Sequence, residues 1–113
     1  MHEMALAQNI VDTIGAQVTP NPENVSVIDI EMGAFSGVVA DSLDFCLKAI
    51  LAENNNSKVT ININEVPTIA LCECGNRYRL TDIFDSCAQC RSFTRELISG
   101  MDVMIKSVEL VEA

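Results

Sequence analysis

The sequence has few basic residues, one histidine and no long apolar run, and each shortage excludes a class of protein. Seven lysines and arginines stand against 16 aspartates and glutamates, which gives a formal net charge of −9. Such a charge repels phosphate backbones, so we expect no nucleic-acid partner. Because no apolar run approaches the length of a membrane span, we also expect no membrane insertion.

Motifs for covalent chemistry are also missing. The chain has no Gly-Lys-Ser/Thr phosphate loop, no nucleophile elbow and no second histidine beside His2. Carboxylates are plentiful, but most fall on predicted helix faces where solvation explains them. We therefore predict that the protein is not an enzyme. No charged leader with a following apolar segment opens the chain, so the cytoplasm is the expected location.

Four of the five cysteines lie close together, as the pairs Cys72–Cys74 and Cys87–Cys90. Four thiolates match the tetrahedral preference of Zn²⁺, and so small a segment has too little core to fold without a metal or a crosslink. Zinc is the predicted occupant, with a disulfide, free buried thiols and an iron–sulfur site as alternatives. The first pair is one residue shorter than the usual knuckle, so coordination by Cys72 depends on local geometry. If Cys72 does not reach the ion, we expect Glu73, Asp85 or water to complete the coordination.

Hydrophobic periodicity predicts an α/β fold around this segment. A helix over residues 4–18 and a second helix with Asp41 as its N-cap carry apolar stripes, and the second stripe places Cys46 in the core. The strands are predicted over residues 25–32, 58–66, 77–80, 93–98 and 101–111. The predicted fold is two helices on a three-stranded sheet with an inserted zinc-binding, ribbon-like subdomain.

The only histidine stands at position 2, where it adjoins the amino group of the chain. The Met1 amine, the His2 backbone nitrogen and the His2 imidazole can close adjacent chelate rings around one ion. The Glu3 backbone nitrogen can fill the fourth corner. Four nitrogens in a plane favour Ni(II) or Cu(II) over zinc. The alternative is a solvated histidine without function, because isolated ligands rarely hold a metal.

Several segments, in order along essentially the whole chain, resemble one family. They are MHEMALAQNIV at the start, residues 30–36 before the second helix, residues 65–67 before the cysteines and residues 100–102 before the last strand. In this combination the chain is similar to the HypA/HybF nickel metallochaperones of NiFe-hydrogenase maturation.

The resemblance implies a metal relay. Members bind one nickel ion through the N-terminal Met-His-Glu segment, and they deliver it to hydrogenase precursors. By position, His2 would be the imidazole ligand, and Met1 and Glu3 would supply main-chain nitrogens. The Glu3 carboxylate would tune the site or its partner contact. The structural zinc ligands would be Cys72, Cys74, Cys87 and Cys90.

The same resemblance implies partners, and the order of the predicted elements gives the domains. The expected partners are a nickel-handling GTPase and the hydrogenase large-subunit precursor, with a urease accessory protein where a member also serves urease. A homodimer is compatible with an edge strand. The predicted domains are residues 1–67 plus 99–113 for nickel and residues 68–98 for zinc.

Two other functions fit parts of the sequence. A zinc-stabilised protein-interaction adaptor would dock a partner without transferring metal. A thiol redox protein would use the Cys87-Ala-Gln-Cys90 motif, which requires a reactive thiol of low pKa and a strand-to-helix setting.

Overall fold

The computed structural model describes residues 2–111 of the chain. The helices are α1, Glu3–Gln17, and α2, Ala40–Glu53, and a short 3-10 turn covers Pro22–Asn24. The strands are β1 (Val25–Gly33), β2 (Thr60–Val66), β3 (Thr68–Cys72), β4 (Arg77–Leu80), β5 (Arg95–Ser99) and β6 (Val103–Leu110). They form two three-stranded sheets, one in the order β2-β1-β6 and one in the order β4-β3-β5.

The chain divides into two compact units. The second unit contains Met32–Gly37 and Glu65–Val103, and the first contains the rest of the described chain. The fold-class prediction is confirmed, since two helices, a three-stranded sheet and an inserted cysteine-bearing subdomain are all present. The assignment of nickel and zinc to separate domains stays a prediction.

Both helices form where apolar residues recur every three or four positions, which places them on one helix face. This face is buried in each helix, and α1 and α2 pack against each other. Its buried apolar residues are Ala7, Ile10, Val11 and Ile14 in α1, and Leu43, Leu47, Ile50 and Leu51 in α2. In the central strand β1, the buried Val25, Ile28 and Ile30 complete the core of the first unit.

Two predictions about α2 are wrong. The helix begins at Ala40 with Val39 as its N-cap residue, and not with Asp41, because the Glu3 carboxylate accepts the Val39 N–H at 3.1 Å. The side chain of Glu3, a residue of α1, thus satisfies a free backbone N–H at the start of α2. Cys46 is only half-buried, since it stands at the edge of the buried stripe and lines a cavity of about 430 Å³ beside Glu3 and Phe45.

The second sheet is antiparallel around β3, whose side chains are alternately buried and half-buried. Thr68 lies opposite Leu80 and Ala70 opposite Tyr78 in β4, while Cys72 lies opposite Arg95 in β5. The sequence predicts β4 with its observed ends, but it does not single out β3. That strand follows β2 after one proline, so its short apolar run has no turn signal of its own.

Gly100 stands between β5 and β6 in a conformation that suits glycine. Its φ is +81°, and a Cβ there would lie 2.2 Å from the carbonyl oxygen of Pro67. The Gly100 carbonyl accepts the Thr68 hydroxyl at 2.6 Å and the Phe35 N–H at 3.3 Å. The glycine therefore allows three segments of the second unit to approach closely.

Among the described residues, no helix has both the length and the apolar character that crossing a membrane requires.

Candidate metal centres

Four sulfur atoms converge in the second unit. The Sγ atoms of Cys72, Cys74, Cys87 and Cys90 all lie within 4.8 Å of one another. Cys72 Sγ is 3.3 Å from Cys90 Sγ, and Cys74 Sγ is 3.7 Å from Cys87 Sγ. Four sulfurs placed about 2.3 Å from one tetrahedral zinc would be about 3.8 Å apart. The cluster therefore has the size that Zn²⁺ requires, and Cys72 lies within it despite the short gap.

Each cysteine pair sits on a hydrogen-bonded turn. Cys72 ends β3, its carbonyl accepts the Gly75 N–H at 2.9 Å, and Gly75 has a φ of +92°. In the second turn the Cys87 carbonyl accepts the Arg91 N–H at 2.8 Å. The Asn76 side-chain amide donates to Cys87 Sγ at 3.4 Å and so connects the two turns. The turns thus hold the sulfurs together through the backbone.

The thiols differ in their tendency to lose a proton. The Cys90 backbone N–H and the Asn76 amide hydrogen-bond to Cys87 Sγ and lower the pKa of Cys87 to about 6. The Cys74 backbone N–H lowers the pKa of Cys72, but burial and the neighbouring sulfurs outweigh it and raise that pKa to about 12. Because a metal binds thiolates, Cys87 is ready to ligate at neutral pH, whereas Cys72 must release its proton to solvent as the ion binds.

Two alternatives to a metal at this cluster, a disulfide and a redox-active thiol, fit less well. All five cysteines are free thiols, and the 3.3 Å between Cys72 and Cys90 sulfurs is far above the 2.05 Å, approximately, of a disulfide bond. Cys87 has the low pKa that redox chemistry needs, but it is 0% exposed and its motif lies in turns, not at a helix start. A buried thiol outside that setting is a poor nucleophile.

The chain before Cys87 is held by a network that the sequence pattern does not reveal. The Asp85 carboxylate accepts the Thr81 N–H, the Thr81 hydroxyl and the Asp82 N–H at 2.6–3.0 Å. These bonds lower the pKa of Asp85. The Arg95 guanidinium donates to the carbonyls of Asp85 and Ile83. The Asp85 carboxylate is thus engaged in these hydrogen bonds, and Asp85 is not among the four residues of the sulfur cluster.

Glu73, the other substitute ligand, is also engaged. Its Oε1 accepts the Ser92 hydroxyl at 2.9 Å. The described residues therefore bring the four cysteines together without a carboxylate among them. Asn76 is a further residue of the site that the sequence analysis missed, since an asparagine after Gly75 has no distinctive spacing.

Two of the three predicted nickel residues, His2 and Glu3, lie at the start of α1, in the first unit. Met1 is outside the described residues. His2 is exposed, and its carbonyl accepts the Leu6 N–H at 2.9 Å. Glu3 is the first residue of α1, so its N–H has no carbonyl four residues earlier to bond. The backbone nitrogen of Glu3 is therefore not used by the helix.

The Glu3 side chain has a different environment from its backbone. The residue is 4% exposed, and its Oε2 accepts the Val39 N–H. Its Oε1 is buried without a hydrogen-bond partner in the described part of the chain. The carboxylate therefore joins the start of α1 to the start of α2, a role that the sequence pattern did not indicate.

Comparisons with known proteins give one consistent family. A family model described as "Hydrogenase/urease nickel incorporation, metallochaperone, hypA" matches residues 1–110. Hydrogenase maturation factor HypA of Desulfosudis oleivorans is 35% identical over 115 residues, which cover 99% of this chain and 100% of that protein. The factor of the same name from Desulfatibacillum aliphaticivorans is 30% identical, with 99% of this chain and 88% of that protein covered.

Solved structures share the fold. The solution structure of the Ni metallochaperone HypA from Helicobacter pylori matches with a TM-score of 0.66 and 13% identity, over 100% of both chains. A second solution structure, of a HypA protein, matches with a TM-score of 0.69 and 15% identity, over 98% of this chain and 97% of that one. At these identities the likeness concerns the fold alone.

Proposed function

This chain belongs to the HypA family of hydrogenase and urease nickel-incorporation metallochaperones, and from that membership we propose that it binds one Ni(II) at its N-terminus and delivers it for NiFe-hydrogenase maturation. The family resemblance inferred from the sequence is confirmed, and so is the prediction that the protein is not an enzyme. The family match over residues 1–110 carries the proposal, because it includes the N-terminal segment itself.

The nickel ligands in this proposal are the Met1 amine, the His2 backbone nitrogen and imidazole, and the Glu3 backbone nitrogen. Two observations support them. The Glu3 nitrogen is not used by α1, and the exposure of His2 lets an ion enter and leave quickly. The Glu3 carboxylate, through its bond to Val39, holds the base of the site to the start of α2. Four nitrogens of this kind select Ni(II) or Cu(II).

The second metal in the proposal is a structural zinc bound by Cys72, Cys74, Cys87 and Cys90. The sulfur separations support it, as does the burial of Cys72 and Cys87 at 3% and 0% exposure. A closed set of four thiolates binds zinc as part of the fold and leaves no position open for exchange. Zinc therefore stabilises the second unit, while nickel is the cargo of the first.

The proposed partners follow from the family. The relatives carry the name hydrogenase maturation factor, which supports work with other maturation proteins. We assign this chain a nickel-handling GTPase and the hydrogenase large-subunit precursor as partners, with a urease accessory protein as a second recipient. The proposed location is the cytoplasm, and a homodimer is the proposed assembly to test.

The His2→Ala variant tests the nickel site. We expect it to lose tight Ni(II) binding in calorimetry, because the imidazole closes one of the chelate rings, while zinc content and helical circular dichroism stay unchanged. A two-residue extension of the N-terminus should act similarly, because it removes the amine from position 1. If His2→Ala binds nickel as the parent does, the N-terminal site is wrong.

A protein-interaction adaptor is the second candidate function. Ile83 and Phe84 are 63% and 81% exposed on the loop whose backbone hydrogen-bonds to the Asp85 carboxylate and the Arg95 guanidinium, which suits a docking surface. An adaptor would bind its partner equally well with His2 replaced or nickel chelated, whereas a metallochaperone would fail to activate hydrogenase in both cases.

A further inference from the structure

Positive charge is concentrated in one part of this acidic protein. Every arginine of the chain lies between positions 77 and 95, inside the second unit. The lysines, by contrast, are Lys48, Lys58 and Lys106, all in the first unit. Since charges more than about 8 Å apart are largely screened at physiological salt, neighbouring arginines can attract an anionic partner despite the net charge of −9.

Two of these arginines lie on a strand at the edge of a sheet. In the order β4-β3-β5, β4 has a neighbour on one side only. Arg77 and Arg79 are exposed on one face of β4, and Tyr78 and Leu80 alternate with them on the other. Within residues 2–111, neither guanidinium forms an ion pair. The outer edge of such a strand presents unpaired N–H and C=O groups.

A cavity adjoins the end of β4. It has a volume of about 240 Å³, and both apolar and polar residues line it. Its lining residues are Ala34, Phe35, Glu65, Arg79, Leu80 and Thr81. An edge strand beside a side-chain pocket is the arrangement that binds extended peptides, because backbone hydrogen bonds give affinity and the pocket gives specificity.

We propose that β4 binds an extended acidic segment of a partner protein, which adds to the second sheet as a fourth strand. Carboxylates at alternate positions of that segment would face Arg77 and Arg79, since side chains repeat every second residue along a strand. An apolar side chain of the segment would enter the cavity next to Leu80. A second copy of β4 is a poor occupant, because its arginines would face these two.

Defined peptides test the proposal on the full-length, zinc-loaded protein. We use a fluorescent Phe-Val-Glu-Val-Glu-Val peptide and its counterpart with lysine in place of glutamate, and we measure fluorescence anisotropy at physiological salt, where the distant acidic residues are screened. The acidic peptide should bind and shift the amide resonances of residues 77–80, and the lysine peptide should not bind. In the R77E/R79E variant, affinity for the acidic peptide should fall about tenfold or more, and the lysine peptide should gain affinity.

The matched control is K58E/K106E, which changes the net charge equally but alters the first unit. It should leave peptide binding unchanged. The proposal is overturned if neither peptide binds the parent, which would mean that the arginines only block unwanted strand pairing. It is equally overturned if both double variants weaken binding alike, or if R77E/R79E changes dimerisation in sedimentation and not peptide affinity.

This surface is independent of the proposed nickel function. Nickel affinity of R77E/R79E should equal that of the parent, and peptide affinity of His2→Ala should equal that of the parent. A failure of one proposal therefore leaves the other intact.

Discussion

The Cys72→Ser variant decides whether the short first cysteine pair supplies a zinc ligand. Cys72 is 3% exposed, and its sulfur lies 3.3 Å from the Cys90 sulfur, within the four-residue cluster. Serine has nearly the same volume, but its hydroxyl is a hard oxygen donor in place of a soft thiolate. The substitution therefore tests the ligand with little change in packing.

The expected effect is large because the second unit has a small apolar core. Its buried apolar residues are Met32, Ala70, Cys72, Leu80 and Cys87, and two of these are proposed ligands. Burial of Met32 and Leu80 contributes about 3–6 kcal/mol, whereas a structural zinc contributes about 10–16 kcal/mol. Loss of a residue that only hydrogen-bonds to a metal ligand lowers metal affinity ~10–100-fold. Loss of a sulfur ligand itself should therefore weaken zinc binding by more than this.

The assay is elemental analysis after a fixed exposure to a chelator, together with circular dichroism and amide NMR spectra. Cys72→Ser should release its zinc and lose the dispersed resonances of residues 65–103, while the helical signal of α1 and α2 persists. Cys46→Ser is the matched control, because Cys46 lies outside the cluster, and it should retain one zinc. If Cys72→Ser holds zinc as firmly as the parent, Cys72 is not a ligand.

Two further predictions concern the fold. Gly100→Ala should lower the free energy of unfolding by about 1–3 kcal/mol or more, because φ is +81° and the new Cβ would lie 2.2 Å from the Pro67 carbonyl oxygen; an unchanged urea midpoint would contradict this. In the first unit, hydrogen bonds from Asn62 and Ser107 lower the pKa of Asp29 below its ordinary 3.8. A carboxyl group whose pKa is lowered by folding stabilises the fold at pH values above its ordinary pKa, and this stabilisation is lost as the pH falls through the lowered pKa of the folded state. Asp29→Asn should therefore have a lower Tm than the parent at pH 7, and the difference should vanish as the pH falls below 3.8; a difference independent of pH would refute the role of its charge.

Much of the fold could be predicted because its signals are local. The predicted helices and strands all occur, with ends that differ by two residues or fewer, since side-chain periodicity depends only on the geometry of each element. Elements without a local signal were missed or misplaced. Strand β3 forms because β4 and β5 pair with it, and α2 starts one residue before Asp41 because Glu3 accepts the Val39 N–H.

Some features of the candidate sites likewise follow from the sequence, and others depend on the tertiary structure. The grouping of the four cysteines and the order of Met1, His2 and Glu3 are properties of the covalent chain, so the sequence alone determined which atoms are available to each proposed metal. Only the tertiary structure decided that the Cys72 sulfur reaches the cluster, that Asn76 bonds to Cys87, and that Arg77 and Arg79 occupy a sheet edge. The physical reason is that these distances depend on which distant backbone segments pair, and pairing over long sequence separations is set by the whole fold.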